Sequence, residues 1–315
     1  MTPEMTTILM GRRRKRAGDR VLSGLLLIDK PSGITSFGVV NQVRRALGVR
    51  RVGHTGTLDP MATGLLPVCV GQATKLARFV TDADKAYRAH ALLGVATDTL
   101  DADGEVTQVD DPDALAAVDG SALEGALEAF RGAITQRPPA YSAIKVDGER
   151  LYAKARRGEE VEVPLREVTI HALEMMDMQL PTFAFDVRCS KGTYVRTLAA
   201  DIAAHLGLSA HLLALRRTAV GAHQVDDAIS LEAFLDDPEA AVARRLIPLT
   251  EVASHLPSVI ADAQLAEHFR HGRRRPVAGQ TSGLARLLDE AGGLIAIIEP
   301  CGEAPAEIIR GFPPE

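Results

Sequence analysis

"GHTGTLDPMATG", Gly53–Gly64, surrounds one acid, Asp59, with three glycines, three threonines, one histidine and a proline. An Asp before Pro is a turn or a helix N-cap in most chains. It also fits a different use. Glycines on both sides let a bulky substrate approach the backbone and the carboxylate together. A carboxylate becomes a covalent nucleophile when a cation keeps it ionised and oriented.

A candidate cation lies far downstream, in "CSKGTYVRT", Cys189–Thr197. Tyr194 and Arg196 flank Val195, so in an extended segment both project to one face. Arg196 carries the planar fork that grips a carboxylate in two hydrogen bonds. His54 lies in the same stretch as Asp59, and Tyr87 lies in "DKAYRA". Each reads equally as a structural residue; a Tyr can also stack on a base or hand over a proton.

Outward from these motifs, "GLLLIDKPSGITS" reads as a buried strand broken by Pro31 and Gly33. "SFGVVNQVRRALG" has a helical period, with Thr35 or Ser36 as cap and Gly48 at its end. "GLLPVCVG" reads as a strand or buried turn, "QATKLARFVTDAD" as a helix and "KAYRAHALLGVAT" as a strand. "ALEGALEAFRG" reads as a helix that Gly132 ends, followed by a Pro-punctuated loop and a basic helix. Two strands, a turn, a helix and a further strand, "LLALRRTAVGAHQV", complete this part. From about residue 247 short strands broken by Pro and Gly suggest a small β-rich domain. There is no regular βαβ alternation, so the class is α+β. No GxGxxG or Walker motif follows a strand, which leaves nucleotide cofactors no foothold.

Composition excludes several classes. In 315 residues, hydrophobic side chains make up 46% and charged ones 24%, as in ordinary globular proteins. With no Trp and 4% aromatics, the core rests on Leu, Val, Ile and Ala. The three cysteines, Cys69, Cys189 and Cys301, form neither a CxxC pair nor a disulfide framework, and read as buried thiols. No apolar run is long enough to span a membrane, so the expected location is the cytoplasm. The net charge of −5 hides a segregation. Acid gathers in "TDTLDADGEV" and "VDDPDAL"; base gathers in residues 12–16, "VRRALGVRR", "RLYAKARRG", "LRRT" and "FRHGRRRP". Each run is a solvated surface taken alone; five together can form a phosphate-binding face.

"LLLIDKPSGITS", "RVGHTGTLDPMATGLLPVCVGQATK", "DKAYRA", "PPAYSAIKVDGERLYAKARRG", "CSKGTYVRTLAADI" and "LRRTAVG" occur in this order between Gly24 and Gly221. In spelling and order the set resembles the bacterial TruB family of tRNA pseudouridine synthases. The resemblance implies a mixed, mainly antiparallel sheet in a catalytic domain over residues 21–246. A basic tail, expected to be disordered, would precede it at 1–20, and a small PUA-like RNA-binding domain would follow at 247–315. An insertion at about 130–162 would clamp the RNA. It further implies isomerisation of uridine to pseudouridine at position 55 in the T-stem loop of tRNA. The chain would act as a monomer, without guide RNA, metal or cofactor. Asp59 would be the nucleophile, paired with Arg196. Tyr87 would stack on the flipped uracil and His54 would fill the space it vacates. Tyr194 and Leu215 would line the pocket, Lys30 would support the catalytic loop, and Lys75 would help bind RNA. The rival readings are a non-catalytic tRNA-binding or folding module, and a uridine isomerase acting on a different RNA.

Overall fold

The computed structural model describes residues 22–139, 145–146, 149–150, 157, 163–277 and 283–313. The expected basic tail and most of the expected clamping insertion lie outside the described residues. In chain order the first half comprises β1 (Gly24–Lys30), α1 (Ser36–Leu47), β2 (Val52–His54), β3 (Thr63–Val70), a 3-10 turn (Gly71–Lys75) and α2 (Ala77–Thr81). β4 (Lys85–Leu93), β5 (Val95–Thr97), β6 (Val106–Val109), α3 (Pro112–Ala116), α4 (Gly120–Ala129) and β7 (Gly132–Gln136) follow. Then come the short strands β8 (Lys145–Val146) and β9 (Glu149–Arg150), β10 (Arg166–Gln179), β11 (Thr182–Cys189), α5 (Val195–His205) and β12 (Ala210–Val220). β13 (His223–Gln224), β14 (Ile229–Ser230), α6 (Leu231–Asp236), α7 (Pro238–Arg245) and α8 (Leu249–Val252) lead to β15 (Ser258–Ala261), α9 (Ala263–Arg270), β16 (Ala285–Asp289), β17 (Leu294–Cys301) and β18 (Ala304–Gly311).

Among the described residues, ten strands form one sheet in the order β14-β1-β3-β12-β4-β11-β10-β7, with β2 on β3 and β13 on β12. The pairs β1–β14 and β3–β12 are parallel, and the others are antiparallel. The fold is therefore α+β with a mainly antiparallel sheet. A second sheet, β15-β16-β17-β18, belongs to the C-terminal part.

α1 shows how local sequence sets position. Thr35 caps it by accepting from the Gly38 N–H, and Gly48 ends it at φ 64°. Val39, Val40, Val43 and Leu47 recur at helical spacing and are buried against the sheet. Leu123 and Leu127 of α4, and Leu198 and Ile202 of α5, join the same core. A second core includes Leu25, Leu65 and Cys69 of the main sheet, Leu249 and Val252 of α8, and Ile297 and Phe312 of the C-terminal part. The small sheet thus shares apolar packing with the large one.

Several elements differ from the sequence reading, each for a local reason. The "QATKLARFVTDAD" helix is a 3-10 turn followed by five residues of α2. The "KAYRAHALLGVAT" strand breaks at Gly94, φ 84°, into β4 and β5. Gly132, φ 91°, opens β7 rather than ending α4, which stops at Ala129. Arg196 is not in an extended segment, because the helix α5 begins at Val195. Cys69 and Cys189 are buried, as free cysteines often are, but Cys301 is exposed.

Candidate active site

The loop after β2 carries Asp59 and makes a turn, with the Ala62 N–H donating to the Asp59 carbonyl at 3.1 Å. It is not a helix cap. Several bonds fix it from outside. The buried Ser36 hydroxyl, at the start of α1, accepts from the Leu58 N–H at 2.8 Å and donates to the Leu58 carbonyl at 3.0 Å. The Gly33 N–H donates to the Pro60 carbonyl at 2.9 Å. Lys30 is fully buried at the end of β1. Its ammonium donates to the carbonyls of Pro31 (2.9 Å), Ile34 (2.8 Å) and Pro60 (3.1 Å). Burial lowers the Lys30 pKa to about 8, although the Asp59 charge raises it in part. Lys30 therefore ties the loop to the end of β1.

Opposite stands α5. Its N-cap, Tyr194, is held by the buried Gln136 of β7, whose side chain accepts from the Tyr194 N–H at 3.0 Å and donates to its carbonyl at 3.3 Å. In the first turn of the helix, Arg196 Nε lies 3.1 Å from Asp59 Oδ2. Its Nη1 lies 3.1 Å from Asp101 Oδ2 and donates to the Thr99 carbonyl at 2.7 Å. The arginine thus bridges two carboxylates. The side chains of Arg196 and Asp101 are 5% and 6% exposed, whereas Asp59 is 36% exposed. Asp59 is the open end of a buried chain of charges. Burial pushes its carboxyl above the ordinary value of 3.8, and the Arg196 charge, the next largest influence, pulls it back.

Asp101 was not singled out in the sequence, where it is one acid among several in "TDTLDADGEV". Tertiary structure distinguishes it. Leu100 takes the left-handed conformation, φ 61°, unusual for a branched residue, and its carbonyl accepts from the Leu212 N–H of β12 at 3.0 Å. Thr99 donates from its hydroxyl to Asp101 Oδ1 at 2.6 Å. These contacts aim the Thr99 carbonyl and the Asp101 carboxylate at Arg196.

The space in front of Asp59 is a cavity of about 350 Å3, within the range of small-ligand sites. Asp59, Tyr87, Tyr194, Arg196 and Leu215 all line it, from β4, α5, β12 and two loops. Lys85 and Arg217 line it too, and the sequence reading assigned neither a role. Arg217 is 1% exposed. Its Nε donates to the Leu65 carbonyl at 2.7 Å, and its terminal nitrogens to the carbonyls of Gly56 (3.1 Å) and Thr57 (3.5 Å). Burial raises the pKa of the neighbouring Tyr87 phenol, and the Arg217 charge lowers it in part. Lys85 donates to the carbonyls of Thr81 and Ala83 at 2.5 Å each, and burial lowers its pKa to about 8. Arg217 was legible only as part of the basic run "LRRT", and Lys85 only as a neighbour of Tyr87.

Three expected residues do not line the cavity: Lys30, behind the loop, His54 and Lys75. His54 is in β2, where its Nδ1 accepts from the Gly56 N–H at 3.3 Å; burial, then Arg217, lowers its pKa. Lys75 ends the 3-10 turn and reaches the C-terminal part. Its ammonium donates to the Gly311 carbonyl at 2.8 Å and lies 5.2 Å from the centre of the Phe312 ring. Among the described residues no group of three or more His, Cys, Asp or Glu side chains is placed to hold a metal. No helix among them is long and apolar enough to cross a membrane.

The family model described as "TruB family pseudouridylate synthase (N terminal domain)" matches residues 44–195, and "tRNA pseudouridylate synthase B C-terminal domain" matches 196–253. The chain belongs to the TruB family. Its motifs therefore sit in the fold that the resemblance implied, and it is a pseudouridine synthase. A tRNA pseudouridine synthase B of Azoarcus sp. (strain BH72) is 48% identical over 84% of this chain and 87% of its own length. One from Chromohalobacter salexigens is 42% identical over 96% of this chain and 98% of its own. Among solved structures, a chain of a Cbf5-Nop10-Gar1 complex superposes with a TM-score of 0.70 at 24% identity, covering 92% of this TruB-family chain and 84% of that chain. A chain of an H/ACA RNP bound to a substrate RNA containing 2'-deoxyuridine gives 0.71 at 22% identity, covering 92% and 85%. At these identities the likeness is one of fold.

Proposed function

We propose that this chain converts one uridine of tRNA to pseudouridine, at position 55 in the T-stem loop, with Asp59 as the nucleophile. One observation supports this most directly: in a cavity of small-ligand size, Asp59 is the open carboxylate of a buried Asp101–Arg196–Asp59 chain. The relatives named tRNA pseudouridine synthase B supply the substrate class.

The target uridine lies within a folded RNA loop and must be turned out into the cavity before Asp59 can reach it. Tyr87 stacks on the base, with Tyr194 and Leu215 as walls. Arg196 keeps Asp59 ionised and aimed, and Lys30 holds the loop behind it. The glycosidic bond breaks, the base turns, and C5 joins the sugar carbon in place of N1. The C5 proton leaves last and N1, freed from the sugar, takes one up, so the isomerised uracil is neutral again. The enzyme acts in the cytoplasm as a monomer, without guide RNA, metal or cofactor.

The test uses purified protein on a synthetic T-stem loop, with chelator present and no second RNA. Pseudouridine at the position equivalent to 55, mapped by chemical sequencing, is the expected product. Binding without conversion would make the chain a tRNA-binding or folding module. Conversion of another RNA but not this loop would replace the target. A strict requirement for a metal or second RNA would overturn the stand-alone reading.

A further inference from the structure

Arg217 and Lys85 are cations with no carboxylate within ion-pair distance among the described residues, yet both line the cavity. They are 1% and 8% exposed. Burying a charge is costly unless an opposite charge accompanies it. Here carbonyl oxygens are the partners: three for Arg217 and two for Lys85. The contrast with Arg196, which touches two carboxylates, is within one cavity. Arg217 is also held by backbone. At Gly64, φ 98°, an added Cβ would lie 2.3 Å from the Arg217 carbonyl oxygen, so β3 and β12 are in direct backbone contact where Arg217 leaves the strand.

We infer that Arg217 and Lys85 form a fixed positive floor that stabilises negative charge on the uracil during isomerisation. The inference rests on the proposed uridine chemistry but not on where Asp59 attacks. If Asp59 bonds to the sugar carbon, the glycosidic electron pair departs with the base, which becomes an anion. If Asp59 adds to C6, the C5–C6 π pair shifts towards C4 and the C4 carbonyl pair moves onto O4, again leaving the base negative. A cation held in place before the reaction stabilises either species without reorganising. Arg217 is at the same time a positioning residue, acting through its bonds to the Gly56 and Thr57 carbonyls of the loop that carries Asp59.

The test compares Arg217→Gln and Lys85→Gln with wild type, in single turnovers on stem-loops carrying uridine or 5-fluorouridine at the target. Fluorine withdraws electron density, so the fluorinated base bears negative charge more easily and needs the floor less. The readout for the fluorinated loop is consumption of fluorouridine. Each variant is expected to slow the uridine reaction by about tenfold or more, with affinity for the RNA kept. The loss on fluorouridine should be smaller by at least about threefold. A residue that only holds the fold would lose the same factor on both loops. Equal losses, or losses in affinity alone, would overturn the inference. If Arg217→Gln does not fold, Lys85→Gln decides by itself, because Lys85 bonds the Thr81 and Ala83 carbonyls and not the Asp59 loop. Failure of the wild type to isomerise uridine would instead overturn the proposed function, and this inference with it.

Discussion

Asp59 is under two opposed influences, burial and the Arg196 charge, and burial is the larger. Its folded pKa is raised, so between the unfolded and folded values the folded state binds more protons. Stability therefore falls as pH rises through that window, and ionised Asp59 weakens the fold at neutral pH. Asp59→Asn should raise Tm at pH 7 while slowing the single-turnover reaction at least about ten-thousandfold. Calorimetry and a kinetic assay read the two effects; an unchanged or lower Tm would mean that the pairing with Arg196 outweighs burial. For the same reason, the acid side of the wild-type rate profile should have its midpoint above 3.8. Arg196→Lys should cost at least about a hundredfold in rate, because a single ammonium cannot span Asp59, Asp101 and the Thr99 carbonyl together. A near-normal rate would remove the bridge from the chemistry.

At the scale of elements, the junction of β3 with β12 sets where the loop and the buried arginine meet. Gly64→Ala places a Cβ against the Arg217 backbone at a left-handed φ, so neither strand can stay where it is. The expected loss is about 2–4 kcal/mol of stability, read by urea unfolding, with a lower turnover in the protein that still folds. This contact also marks the limit of what sequence discloses. α1 was legible because its cap, its apolar stripe and Gly48 agree on one helix. The TruB-type motifs carried Asp59, Tyr87, Tyr194, Arg196 and Leu215, and the fold brings all five to one cavity. Asp101, Gln136 and Arg217 escaped because their roles come from pairings across β12, α5 and β7. A buried acid is spelled no differently from a solvated one. Lys75 was read as helping to bind RNA, and a lone Lys in a motif carries no sign that the Gly311 carbonyl will accept a hydrogen bond from it.

For the whole molecule, the C-terminal part is stitched to the main sheet by the shared apolar core and by Lys75. Phe312 is 4% exposed, and Phe312→Ala should cost about 3 kcal/mol by opening that core, a loss that thermal unfolding will register. An unchanged Tm would mean that the small sheet docks without depending on it. Arg45, Arg50, Arg51 and Arg273–Arg275 are exposed. Stem-loop affinity should fall at least about tenfold between 50 and 200 mM salt through counterion release, while the rate at saturating RNA changes little. Salt-independent affinity would show that these arginines face away from the RNA.

The position of β4 has a consequence for synthesis. Both of its sheet neighbours, β11 and β12, come later in the chain, and β12 starts only at Ala210. A ribosome adding about 5–20 residues per second needs on the order of ten seconds to pass from the end of β4 to the start of β12. For that interval the strand carrying Tyr87 waits with an open edge, a template for any other strand that reaches it. The nascent protein is most exposed to misassembly just before its active site can exist.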